Sequence, residues 1–381
     1  MVLAAFRHKQ IGSKSELFRD ILGRWTPLCV MHAACAPSRV PARARPAVPR
    51  ALRVAAAAAT TGTSPVRSVA TPPLPSPDRV ASETMTSTSD DSPVGKGKDR
   101  YVVHTLAGYK IEGISVGGQE TCIILPQLKI AFDSGRCPQR CVYADTLCLS
   151  HTHLDHVGGA GHYIATRSLL SLPPPTVLLP AQRADAFEAY VASLRALDGS
   201  ELPHVAVPIE PGETHVLSKL HCVRPFPTTH PVASQGYVVY GTKRKLREEY
   251  AGLSGQEIKA LRDAGTVVTD SIEVPEVAFT GDASGEWTRS DHPVARDALR
   301  AKLLICECTF VDDAVDVEGA REYGHTHIDE LAAAADAFEN ERILLIHFSA
   351  RYKAAEVTEA IEKRLPAGLR ERCVPMLVGF N

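Results

Sequence analysis

Leu149-Ser150-His151-Thr152-His153-Leu154-Asp155-His156-Val157-Gly158-Gly159 sets three histidines and a carboxylate within six residues. The apolar lead-in Thr146-Leu147-Cys148-Leu149 reads as a buried strand, and the two glycines precede a segment with helical spacing. The four donors therefore sit on a tight loop at a strand end, where they can splay around one point. Within a strand they would alternate above and below the sheet. Imidazole nitrogen and carboxylate oxygen together suit zinc better than the other common divalent ions. Without a metal, so many polar groups in one turn would repel one another and lose their hydration uncompensated.

Outward from this loop the apolar runs fall into two batches. Tyr109–Val116, Glu120–Leu125 and Lys129–Asp133 read as a β-meander, and Thr146–Ser150 delivers the loop. Gly161–Leu170 and Gln182–Leu197 have helical spacing, and strands are expected at 176–179, 204–208, 213–217, 219–226 and 234–240. Lys243–Tyr250, Ser254–Ala264, Thr326–Phe338 and Lys353–Arg364 read as helices. Ser254 and Glu257 make a capping box, and Gly265 stops that helix. Val277–Phe279, Lys302–Cys306, Arg342–Ile346 and Cys373–Val378 read as strands. Two batches of strands with helices outside predict an α/β protein, two facing mixed sheets between helical layers in the order αββα.

The chain has 381 residues, 44% of them hydrophobic, enough for one large domain or two. The net charge of −2 conceals an asymmetry. Residues 1–99 hold 14 basic and 7 acidic side chains, and the remainder holds 28 and 37. Any nucleic-acid contact must therefore rest on a local basic patch of an acidic body. Arg7, Arg19, Arg24, Arg39, Arg43, Arg45, Arg50 and Arg53 lie amid Ala, Pro and Ser, with only Glu16 and Asp20 as acids before Asp78. That is transit-peptide composition, followed over about 61–98 by a Ser/Thr/Pro-rich linker. The expected division is 1–98 for presequence and linker, and 99–381 for the folded domain. The length and Ser/Thr/Pro content of residues 1–98 point to the chloroplast, with the mitochondrion as the alternative. The ten cysteines lack a disulfide-framework spacing and read as free thiols in a reducing compartment, Cys137 and Cys141 being the nearest to a redox pair. No apolar run is long enough to cross a membrane.

Further polar residues follow apolar strands: His230 in Thr228-Thr229-His230-Pro231, Asp282 in Phe279-Thr280-Gly281-Asp282, Glu307 in Cys306-Glu307-Cys308-Thr309-Phe310, and His347 in Leu345-Ile346-His347-Phe348-Ser349-Ala350-Arg351-Tyr352. Singly each is weak, since Gly-Asp after a strand is usually a turn. In this order, after the His-rich loop, they form a set. Glu307 is a candidate partner for His325 of Gly324-His325-Thr326-His327, the carboxylate orienting an imidazolium that protonates a leaving oxygen. His327, two residues on, is read as structural. Ser349 and Arg351 are placed to meet a non-bridging phosphate oxygen.

The opening loop resembles the signature of the metallo-β-lactamase superfamily. The resemblance implies one ion on His151, His153 and His230, a second on Asp155, His156 and His347, and Asp282 bridging both. Two such cations activate a water and clamp a phosphodiester. The run His347-Phe348-Ser349-Ala350-Arg351-Tyr352, the His325 segment after Glu307, and the stretch from Ser234-Gln235-Gly236-Tyr237 through Glu249-Tyr250-Ala251-Gly252-Leu253-Ser254-Gly255 to Asp282 are similar to ribonuclease Z, especially to its short plant forms. That family removes the 3′ trailer from precursor tRNA. The resemblance, over about 104–380, implies two zinc ions per subunit, a homodimer, Asp155, Glu307 and His325 in catalysis, and a cut that leaves a 3′ hydroxyl on the tRNA. It also implies an arm that clasps the tRNA elbow. Between His156 and His230 only Pro173-Pro174-Pro175 suggests an excursion, so the grip is expected from Lys243, Arg244, Lys245 and Arg247, helped by Arg136 and Arg140. The alternative is a glyoxalase II-type binuclear thioesterase, which would need neither Glu307 with His325 nor Ser349 with Arg351.

Overall fold

Along the central strands of the computed structural model, successive side chains enter different cores. The structure describes residues 102–380, so the expected presequence and linker lie outside the described residues. Ile123, Leu125, Ile130 and Phe132 share one core with Tyr237, Val239, Phe279, Ile305 and Ile346. Their neighbours Cys122, Ile124 and Ala131 belong to a second core, and Val238, Tyr240, Ala278, Leu304 and Leu345 to a third. A strand buried on both faces in this way must separate two layers.

The first sheet runs in chain order: β1 (Val102–Leu106), β2 (Tyr109–Val116), β3 (Glu120–Leu125), β4 (Ile130–Phe132), β5 (Thr146–Cys148), β6 (Thr176–Pro180) and β7 (Val205–Ile209). It is antiparallel from β1 to β4 and parallel from β4 to β7. The second sheet repeats the plan: β8 (His215–Val216), β9 (His221–Pro227), β10 (Gln235–Leu246), β11 (Thr269–Phe279), β12 (Leu303–Glu307), β13 (Arg342–Ile346) and β14 (Cys373–Pro375). It is antiparallel from β8 to β11 and parallel from β11 to β14. Helices Ala160–Leu169 and Ala184–Asp198 cover the outside of the first sheet with Tyr163, Ile164, Phe187 and Val191. Helices Pro293–Ala298, Ile328–Ala333 and Ala354–Arg364 cover the second with Val294, Ile328, Leu331, Val357 and Ile361. The expected αββα sandwich is the observed one.

Two expectations need correction. Lys243–Tyr250 is not a helix. Lys243, Arg244, Lys245 and Leu246 continue β10, paired with Ile272, Ser271, Asp270 and Thr269 of β11, and only Glu248–Tyr250 forms a 3-10 turn. The helix-forming side chains are overruled by a ladder that leaves the sheet as a two-stranded ribbon, with both faces of residues 242–245 exposed. Near the ribbon's far end, helix Gly255–Asp263 starts at the Ser254–Glu257 capping box and is followed by Gly265 at φ +86°. The expected helix Thr326–Phe338 is shorter, Ile328–Ala333 with a 3-10 turn at Ala335–Ala337.

Candidate active site

The donors read from the sequence leave the sheets at strand ends and converge. His151 follows β5, His230 lies between β9 and β10, Asp282 follows β11, Glu307 ends β12 and His347 follows β13. His151 Nε2 and His230 Nε2 each lie 3.1 Å from His153 Nδ1. His156 Nε2 is 3.2 Å from His347 Nε2, and Asp155 Oδ2 is 3.6 Å and 3.7 Å from these two atoms. Asp282 Oδ2 stands between the groups, 3.7 Å from His151 Nε2, 3.2 Å from His156 Nε2 and 3.4 Å from His347 Nε2. Ring nitrogens this close either share a proton in a hydrogen bond or converge on a cation. Four-coordinate zinc, with bonds of about 2.0–2.1 Å, spaces its donors roughly 3.3 Å apart. The donor set therefore fits a pair of divalent ions.

The far sides of the rings are held from behind. Asp133 Oδ2 accepts from His156 Nδ1 at 2.8 Å. Gly324 O accepts from His230 Nδ1 at 2.8 Å. Ser150 Oγ, which donates to Asp133 Oδ2, lies 3.0 Å from His151 Nδ1. Such partners fix which nitrogen faces the metal and raise its basicity. Asp133 was missed in the sequence; its place at the end of β4, opposite the His-rich loop, was the available signal. Asp133 and His347 both adopt left-handed backbone, at φ 56° and 61°. This costs about 1–3 kcal/mol each and turns each side chain inward directly after a strand. Gly281 is also left-handed at φ +60°, and a Cβ there would stand 2.3 Å from Ser150 Cβ. The Thr280-Gly281-Asp282 turn thus needs glycine to admit the serine behind His151.

Burial drives the pKa of His151 well below its ordinary value, with His156 beside it adding to the effect, and burial also lowers His153 and His230. For His156 burial acts in the same direction, but Asp282 and Asp133 outweigh it and raise the group well above its usual range. Burial would raise Asp155, yet His347 and His156 hold it at about 2. Asp282 is likewise pulled well down against its burial by His156 and His347.

Beside these donors, Glu307 Oε1 meets His325 Nδ1 at 3.1 Å. Burial disfavours the His325 cation, but Glu307 overcomes it and pushes its pKa up to about 9. Glu307 is fully buried and accepts from the backbone N–H of Ala283 at 2.7 Å and of Thr309 and Thr326 at 3.2 Å. His327 points elsewhere. Its Nδ1 accepts from Asp329 N and its Nε2 donates to Asp312 O, so it caps helix Ile328–Ala333.

The other predicted residues are placed unequally. Ser349 is half-buried, two residues past His347. Arg351 is paired with Asp312, and its guanidinium lies 5.4 Å from the Phe310 ring centre and 4.7 Å from that of Tyr352. Phe310 in turn packs on His325, with ring centres 6.1 Å apart. Lys243, Arg244 and Lys245 are exposed on the ribbon, and among the described residues none has an ion-pair partner. Arg247 pairs with Asp270 at 2.8 Å. Arg136 and Arg140 are committed to the buried carboxylates Glu120 and Glu112. The ribbon lies between His230 and Asp282; between His156 and His230, the Pro173 carbonyl accepts from the buried Arg167.

No protein-family model matches the chain. Among curated relatives, tRNase Z TRZ1 of Arabidopsis thaliana is 50% identical over 275 residues, 72% of this chain and 97% of the relative. The tRNase Z TRZ2 of the same plant, described as chloroplastic, is 42% identical over 276 residues, 72% of this chain and 77% of the relative. Among solved structures, the human short-form tRNase Z superimposes with a TM-score of 0.44 at 18% identity, covering 63% of this chain and 92% of that one. Half of the aligned positions are shared with a tRNase Z matched almost end to end, and on that ground the chain belongs to the tRNase Z, or ribonuclease Z, family.

Proposed function

We propose that the protein is the endonuclease that removes the 3′ trailer from precursor tRNA, leaving a 3′ hydroxyl on the tRNA and a 5′ phosphate on the trailer. Family membership displaces the thioesterase alternative. The observation that carries the reading is the convergence of seven metal-type donors beside the Glu307–His325 pair. Two zinc ions would be held by His151, His153 and His230, and by Asp155, His156 and His347, with Asp282 shared. When bound, they supply an activated water and neutralise charge on the phosphate. Asp155, half-buried, accepts from Gly118 N at 3.0 Å, which fixes its carboxylate, and it would take the proton of the attacking water. His325 would give its Nε2 proton to the leaving oxygen while Glu307, which favours the imidazolium, holds Nδ1. Ser349 and Arg351 meet the non-bridging phosphate oxygens, Arg351 being pre-oriented by Asp312 and two rings.

The ribbon grips the tRNA body through Lys243, Arg244 and Lys245, with Arg247 at its margin. The unpaired charge of the first three on an otherwise acidic body supports this. The protein works as a homodimer in the chloroplast. The composition of residues 1–98 and the chloroplastic relative support the location. The folded domain spans 99–381. No helix among the described residues is long and apolar enough to cross a membrane. The deciding experiment incubates the full chain with an end-labelled precursor tRNA, with and without chelator, and maps the cut. A cut after the discriminator base that chelator abolishes is expected; chelator-resistant cleavage, or hydrolysis of a glutathione thioester with none of the tRNA, overturns the reading.

A further inference from the structure

The side chain of Thr309 touches both the metal-type donors and the acid–base pair. Its hydroxyl is buried, and three polar atoms surround it: Glu307 Oε2 at 2.5 Å, His347 Nδ1 at 3.1 Å and His325 Nδ1 at 3.3 Å. A hydroxyl has one proton to give and two lone pairs to receive with. Glu307 Oε2 is the shortest of the three contacts and takes the proton. The oxygen can then only accept from the two rings, so His347 carries a proton on Nδ1, and so does His325, whose Nδ1–H is shared between Thr309 Oγ1 and the nearer Glu307 Oε1 at 3.1 Å. The nitrogen that faces the other donors, and would bind a metal, is then His347 Nε2, 3.2 Å from His156 Nε2 and 3.4 Å from Asp282 Oδ2.

We propose that Thr309 is a positioning residue: its one hydroxyl sets the tautomer of His347 for metal binding and the orientation of His325 for proton donation, and so ties the two stations together. The proposal rests on the roles given above to His347 and His325. It follows from counting donors and acceptors around one oxygen. The neighbouring metal-type histidines have separate anchors, Asp133 for His156 and the Gly324 carbonyl for His230, whereas His347 and His325 share theirs.

The test compares T309V, which keeps the shape and loses the hydroxyl, with T309S, which keeps the hydroxyl. In chelator-treated full-length protein, at a pH high enough that the histidine rings are neutral, nitrogen-15 shifts of the rings report each tautomer directly. The native chain and T309S are expected to show His347 protonated at Nδ1 alone, and T309V a mixture. On titration with Zn²⁺, T309V should bind its weaker ion about 10- to 100-fold less tightly, the usual effect of losing a group behind a metal-binding histidine. T309S should restore the affinity. With zinc saturating, T309V should lower kcat for trailer removal and leave KM unchanged, because the tRNA body is gripped elsewhere. A T309V protein with the native tautomer pattern and zinc affinity overturns the proposal, as does failure of T309S to restore either. If T309V does not fold, T309A carries the same comparison. If the native chain takes up no zinc, the two-metal reading falls, while the nitrogen shifts still decide the role of Thr309.

Discussion

Residues 102–209 and 215–375 each run an antiparallel meander into parallel strands, but they supply the site in different ways. The first half contributes four donors from one loop, 151–156. The second contributes His230, Asp282, Glu307, His325 and His347 from separate segments, and it alone extends two strands into a charged ribbon. A loop that holds its donors contiguously needs little from the rest of the chain to bring them together. Donors on different strands depend on register: Phe279 opposite Ile305 and Glu307 opposite Ile346 keep Asp282, Glu307 and His347 at one level. A slip of one residue would turn those side chains to the other face.

The comparison is broken most directly by removing one donor from each half of the same trio. Asp155→Ala and His347→Ala should both reduce trailer cleavage to background while the circular dichroism spectrum is unchanged. If one variant stays near native activity, the two halves do not share an ion. The next largest effect is expected for His325→Ala, which should lower kcat by about 10²–10⁴-fold, the range of general acid catalysis, with KM little changed. A loss confined to KM would make His325 a substrate contact. Asp133→Asn sharpens the comparison within the first half. It keeps the shape of the group behind His156 and removes its charge, and should weaken zinc binding by about 10- to 100-fold in a competition titration. The smallest effect per residue belongs to the ribbon. Replacing Lys243, Arg244 and Lys245 by alanine should raise KM and leave kcat intact. The salt dependence of binding should flatten by roughly 0.7–0.9 log units per log of salt for each phosphate no longer neutralised. An unchanged salt slope would place the tRNA grip elsewhere.

The sequence by itself determined the first half's contribution, because three histidines and an acid in six residues admit little besides a metal loop, and the alternating strands around it required a layered sandwich. It also picked out His230, Asp282, Glu307 and His347 as a set, since each follows an apolar run, and His325 as the partner of Glu307. Only the tertiary structure decided what stands behind these residues: Asp133 behind His156, Gly324 behind His230, and Thr309 between His347 and His325. It also decided that Lys243, Arg244 and Lys245 lie on a strand and not on a helix, and that Arg136, Arg140 and Arg351 are already paired. The division has one physical cause. Spacing along the chain sets which atoms can meet within a loop, whereas partners 16 to 94 residues apart meet only after the two sheets have packed and their registers are set.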